Sequence, residues 1–234
     1  MIINEVKMTE NKVQTSKWKK HEIEENIGHE KYDNDIYQLQ VNDFMKIFSN
    51  LHPSISLVCV CGNHDVGNIP DEKSIDQYRH NFGHDYFSFW CGGVLFLVLN
   101  SQYYTSCSNV KELSEKQDKW LTEKLNTHKG QRIIIFQHVP WFIDNIEDNK
   151  YFNIDTNLKQ EMLEKMNSAG VSHVFCGHCH RNCNRYYKNL EIVTTNAIGA
   201  TASEDPSGLR VVKVYENNVI HTYYPLDQLP ETVG

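Results

Sequence analysis

Three polar motifs, each placed directly after a short apolar run, constrain this chain more than any other feature. Asn63-His64-Asp65 follows the run 55–61, His138 follows 132–136, and His178 with His180 follows 172–176. Short β-branched and aromatic runs bounded by glycine or proline read as buried strands. Open α/β sheets gather functional groups at the ends of such strands, so the pattern calls for an α/β chain with one imidazole-rich sheet edge. Neutral imidazole suits zinc, iron and similar metals, and the amide oxygen of Asn63 suits a harder cation. In an extended segment His178 and His180 project from one side at roughly 7 Å, within reach of two cations about 3.5–4 Å apart. Spacing alone suggests a paired-metal site.

The rest of the chain supplies helices between these runs. Residues 1–33 are rich in Lys, Glu and Asn, show no clear period, and read as a polar, disordered segment before a domain at 34–234. A helix is expected from about residue 35, carrying Ile36, Leu39, Phe44, Ile47, Phe48 and Leu51 at roughly helical spacing, with Pro53 just beyond its end. Further helices are expected at about 71–82, 113–128 and 156–168, the last with Asp155 or Thr156 as N-cap and Gly170 past its end. Gly92-Gly93 marks a hairpin between strands near 85–90 and 93–99. Strands near 185–188, 190–196, 209–215 and 218–224 suggest an antiparallel meander in the tail.

Bulk properties narrow the function class. A formal net charge of −7 leaves no excess positive field for nucleic acid or an anionic membrane surface. Small phosphorylated groups stay open, because bound cations supply positive charge locally. No apolar run approaches the roughly 18 residues of a membrane span. Seven cysteines cannot all pair and the first twenty residues hold no signal-type apolar stretch, so a reducing cytoplasm is the expected location.

The ordered set Gly62-Asn63-His64-Asp65, His138 and Gly177-His178-x-His180 resembles the motifs of calcineurin-like metallophosphoesterases. The longer segments CGNHDVGN, DYFSFWCGGVLFLVLNSQ, FQHVPWF, GHCHRN and GLRVVKVYENNVIHTYYPLDQL are similar to those of the calcineurin-like phosphoesterase domain-containing serine/threonine phosphatases, over about residues 38–229. The resemblance implies a four-layer α/β/β/α sandwich and two divalent cations, for which manganese, iron, zinc and magnesium all fit. It implies that Asn63, His138 and His178 bind one cation, that His180 binds the other, and that His64 protonates the leaving group. A hydroxide held between the cations would attack phosphorus in a phosphoserine or phosphothreonine of a protein substrate. Asp65 as an orienting partner of His64 and Arg181 as a phosphate contact are secondary assignments.

The resemblance also has gaps. The family's first strand carries Asp-x-His or Asp-x-Gln and its second ends in a Gly-Asp loop; no Gly-Asp dipeptide occurs in this chain. The expectation is a sandwich lacking its first strand units, with exposed sheet edges and low stability. A truncated, catalytically impaired binding or regulatory variant is therefore one alternative, and a phosphodiesterase built on the same loops is another. A zinc knuckle from Cys176, Cys179, His180 and Cys183 competes with the motif set; Cys59 and Cys61 read as strand core with a catalytic thiol as the rival reading, and Asn68 and Asn182 read as turn residues.

Overall fold

The computed structural model describes residues 2–3, 34–147, 154–199, 201 and 204–232. In chain order these build β1 (Ile2–Ile3), α1 (Asn34–Phe48), β2 (Val58–Cys59), α2 (Asn63–Val66), α3 (Glu72–Phe82), β3 (Phe87–Cys91), β4 (Val94–Val98), α4 (Gln102–Thr105) and α5 (Lys111–Thr127). They continue as β5 (Ile133–Phe136), α6 (Thr156–Ala169), β6 (Val171–Cys176), β7 (Cys183–Tyr187), β8 (Leu190–Thr194), β9 (Gly208–Val214) and β10 (Val219–Pro225).

A six-stranded sheet in the order β3-β4-β5-β6-β8-β7 forms the centre. Its four inner strands are parallel, and β3 and β7 run antiparallel at the edges. Strand β4 is buried along its whole length, as a parallel strand covered on both faces must be. Side chains alternate between those faces. Leu95, Leu97, Ile133 and Ile135 meet Leu121 and Leu125 of α5 and Met162, Leu163 and Met166 of α6. Val94, Phe96, Val98, Ile134 and Phe136 point the other way, toward Val212, Val214 and Val219 of the β9–β10 hairpin and Val60 beyond β2. The result is helices, sheet and second β layer in succession, the α/β class expected from the motifs.

Local chemistry fixes the element ends. The Asp155 carboxylate accepts from the backbone N–H groups of Asn157 and Leu158 at 2.9 and 3.2 Å, and Gly170 closes α6 in the left-handed region at φ 88°. Gly92 and Gly93 sit at φ 55° and 77°, the two positive values that a tight hairpin between twisted strands requires.

Four expectations change. The run 55–61 forms a ladder only at Val58–Cys59, which pair with Ile3 and Ile2; otherwise the expectation for 1–33 lies outside the described residues. The tail is not one meander: β8 inserts between β6 and β7 in the main sheet, while β9 and β10 pair with each other alone. A parallel β6–β8 contact buries β8 on both faces, which its Leu-Glu-Ile-Val-Thr sequence tolerates because Glu191 finds hydrogen-bond partners. Among the described side chains of α1 the buried ones are Tyr37 and Val41, and Leu39 and Ile47 face outward at 63% and 38% exposure; the side chain of Ile36 lies outside the described residues. Leu113 of α5, which helical spacing sets on one side with Trp120, Leu121 and Leu125, packs instead with the α2–α3 cluster.

Candidate metal centre

The parallel sheet brings the three motifs to one edge. Chain leaving β5 continues into Gln137-His138, and chain leaving β6 continues into Gly177-His178, whose Gly177 N–H donates to the His138 carbonyl at 3.0 Å. From β2 the chain passes through buried Val60 and Cys61 to Gly62, the N-cap of the single-turn helix α2 that starts at Asn63. Gly62 lies against the His138 ring, so the two loops touch where no β-carbon intervenes.

Asn63 Oδ1, His138 Nε2 and His178 Nδ1 then form a small triangle. Its edges are 2.8 Å from Asn63 to His138, 3.2 Å from Asn63 to His178 and 3.3 Å between the two imidazole nitrogens. Donor atoms sharing a cation at about 2.0–2.1 Å lie roughly 2.8 Å apart at octahedral angles and roughly 3.4 Å apart at tetrahedral ones, so this donor set fits a divalent transition cation. The two ring planes meet at 77°, with their centres 5.1 Å apart.

Electrostatics favour the same reading. Burial pushes the His138 imidazole well below its ordinary pKa, with the neighbouring histidines adding to the effect, although one ring edge opens to the site. The ring is thus held neutral, as a metal ligand must be. Its Nδ1 is buried without a hydrogen-bond partner, so Nε2 is the ring's working end.

The remaining expected residues are placed around this triangle. His64 is exposed on the turn beside Asn63, next to a groove lined by Tyr37, Val41, Phe44, Tyr78 and Phe82. The Asp65 carboxylate accepts the Gly62 N–H at 2.8 Å, closing α2 as a cap, and burial raises its pKa. His180 stands on the turn with His178, and both adopt left-handed backbone angles, φ 46° and 67°. Arg181 pairs with Asp144 at 3.5 Å, alongside Arg185 at 2.9 Å. Cys176, Cys179, His180 and Cys183 do not converge: among the described residues the one group of three or more His, Cys, Asp and Glu at metal-holding distance is His173, Glu191 and His221. Burial pushes the Cys179 thiol up to about 12 and raises the Cys59 and Cys61 thiols as well, so none of the three is an activated nucleophile.

The His173, Glu191 and His221 group is better described as a hydrogen-bonded relay than as a cation cage. Arg210 Nη1 donates to His221 Nδ1 at 2.7 Å, and a guanidinium has no acceptor. His221 therefore carries its proton on Nε2, where it donates to Glu191 Oε1 at 3.2 Å and offers no lone pair to a metal.

Sequence reading passed over the segment Asn100-Ser101-Gln102, although it also follows a fully apolar strand. All three residues are buried. The Ser101 hydroxyl accepts the N–H of Val139, directly after His138, at 2.8 Å, and Gln102 Nε2 donates to the Gly67 carbonyl at 3.3 Å. These bonds tie the His138 loop and the loop after α2 to the end of β4. Asp85 supports the segment by accepting from Asn100, Tyr103 and Arg79 at 3.1, 2.8 and 2.7 Å.

Comparison with known proteins bears on what this arrangement serves. Residues 27–182 match the family model described as calcineurin-like phosphoesterase. Serine/threonine-protein phosphatase CPPED1 of Pongo abelii is 44% identical over 197 residues, covering 82% of this chain and 63% of that protein. The protein of the same name from Homo sapiens is 43% identical with the same coverages. Purple acid phosphatase 15 of Arabidopsis thaliana is 24% identical over 68% of this chain and 31% of its own length. The chain thus spans about 63% of the length of the phosphatases that head this comparison.

Proposed function

Because the chain belongs to the calcineurin-like phosphoesterase family, we propose that its Asn63, His138 and His178 centre serves metal-dependent hydrolysis of phosphomonoesters, with phosphoserine and phosphothreonine of proteins as the substrate class. The observation that carries this is the convergence of three lone-pair donors within 2.8–3.3 Å on loops from three different strands. The names of the relatives, serine/threonine-protein phosphatases, support the substrate class.

Asn63, His138 and His178 would hold a divalent cation, which when bound would supply Lewis acidity to a phosphoryl oxygen and offset transition-state charge. Asn63 contributes a neutral oxygen, His138 an imidazole kept unprotonated by burial, and His178 its Nδ1. His180, carried on the same turn as His178, is the assigned ligand of a second cation. His64 lies one residue beyond Asn63 and is exposed, which suits a group that hands a proton to a departing serine or threonine alkoxide. General-acid help of this kind contributes about 10²–10⁴-fold.

The test combines metal analysis after exhaustive dialysis with hydrolysis of an aryl phosphate, a phosphoserine peptide and a phosphodiester. The proposal expects retained metal, phosphate release that a chelator abolishes, and a preference for the monoesters. His64→Ala should slow the phosphoserine peptide far more than the aryl phosphate, whose leaving group needs no proton. Turnover that persists in chelator would sink the metal-dependent reading, and faster diester hydrolysis would replace the substrate class.

A further inference from the structure

The turn at residues 178–180 is costly to hold. His178 and His180 both sit in the left-handed region, at φ 67° and 46°, which disfavours side chains with a β-carbon. Inside the turn the Cys179 N–H donates to the Gly177 carbonyl at 2.7 Å, and at its start Gly177 is fastened to His138. The far end is fastened at Asn182. Its backbone N–H donates to Asp205 Oδ2 at 2.7 Å, and its side-chain Oδ1 accepts from Arg210 Nη2. The Asp205 segment is held in turn, because Asn196 Nδ2 donates to the Asp205 carbonyl at 3.0 Å.

Arg210 is unusually well placed to act as a fixed point. It projects from β9 with its guanidinium largely enclosed. Nε donates to Thr195 Oγ1 at 3.1 Å, Nη1 donates to His221 Nδ1 at 2.7 Å, and the group lies 5.7 Å from the centre of the Tyr223 ring. His221 is braced by Glu191, which also accepts from Asn184 at 2.8 Å and pairs with His173 at 3.3 Å. Nε is thus held by Thr195, just past β8, and Nη1 and the guanidinium face by His221 and Tyr223 of β10, while Nη2 reaches the loop that follows the His178 turn.

We propose that Arg210 is a positioning residue for the candidate metal centre, holding the 178–180 turn through Asn182 so that His178 Nδ1 meets Asn63 and His138. The inference rests on the cation-site reading given above. Residues that orient metal ligands from behind typically change cation affinity by about 10- to 100-fold when removed.

Two measurements on the full 234-residue chain test it: Co²⁺ affinity by titration, and hydrogen exchange of the Cys179 amide in metal-free protein. Asn182→Ala and Arg210→Gln should each weaken Co²⁺ binding by about tenfold or more and speed Cys179 exchange by a similar factor. Thr195→Val removes another partner of Arg210 while sparing the arm to Asn182, so both readouts should stay near wild type even where the melting temperature falls. Unchanged affinity and unchanged exchange in Asn182→Ala overturn the proposal. Should Arg210→Gln fail to fold, Asn182→Ala decides alone, since it removes only the loop-side partner. A wild-type chain that takes up no Co²⁺ defeats the cation-site reading, and Cys179 exchange still decides the positioning role: faster exchange in Asn182→Ala upholds it, and no change refutes it.

Discussion

A β-carbon on residue 62 would meet Cδ2 and Cγ of His138 at 3.0 Å, a distance at which the ring or the loop must move. Gly62→Ala should therefore destabilise the fold by about 1–3 kcal/mol and displace His138 Nε2 from the donor triangle. Thermal unfolding and Co²⁺ titration of the variant check both effects; a variant with wild-type affinity would show that the loop yields freely. At this scale the sequence displayed Asn63, His138 and His178 as ligand candidates, because each residue type carries its chemistry with it. It did not show that Asp65 caps α2 through Gly62 N–H, or that Asn182, read as a turn residue, is where Arg210 grips the loop. The second partnership spans 28 residues and leaves no local pattern.

The elements most legible in the sequence are those whose ends carry their own chemistry. Helix α6 begins at Asp155 and ends before Gly170, as the capping residues indicated. Asp155→Ala should cost about 1 kcal/mol, read as a lower denaturation midpoint with an unchanged slope; no change would mean that the two N–H groups find water instead. Elements whose character depends on neighbours were less legible. Strand β8 is antiparallel to β7 yet parallel to β6, and the hairpin pattern announced only the first pairing. A shift of register between Ile133 and Ile134 places Val171 in the helix-side core while His173, two residues on, stacks with Phe175 on the opposite face. Alternation along a strand cannot reveal that shift, because a bulge is set by the partner strand.

For the whole molecule, pH dependence follows from groups enclosed by several elements at once. Burial lowers the pKa of His138 and His173 from the ordinary 6.5, so the folded chain refuses protons that the unfolded chain accepts. Stability is then fully present above about pH 6.5 and declines as pH falls below it. Glu191 acts in the same direction at lower pH: burial opposes its ionisation, but bonds from Asn184, Tyr186 and His221 outweigh burial and hold its pKa below 4.5. Its contribution is lost as pH falls through that depressed value. The melting temperature should drop between about pH 7 and pH 5.5, and less steeply in His173→Gln; a flat profile in the wild type would contradict the assignment. By itself the sequence determined the α/β class, the strand ends that carry candidate ligands and the chemical identity of those candidates, since apolar runs and residue types are local properties. Only the tertiary structure decided that Asn63, His138 and His178 converge within 2.8–3.3 Å while His173, Glu191, His221 and Arg210 form a separate braced relay. Distances between loops depend on how parallel strands align and which faces pack, and those are settled by the fold as a whole.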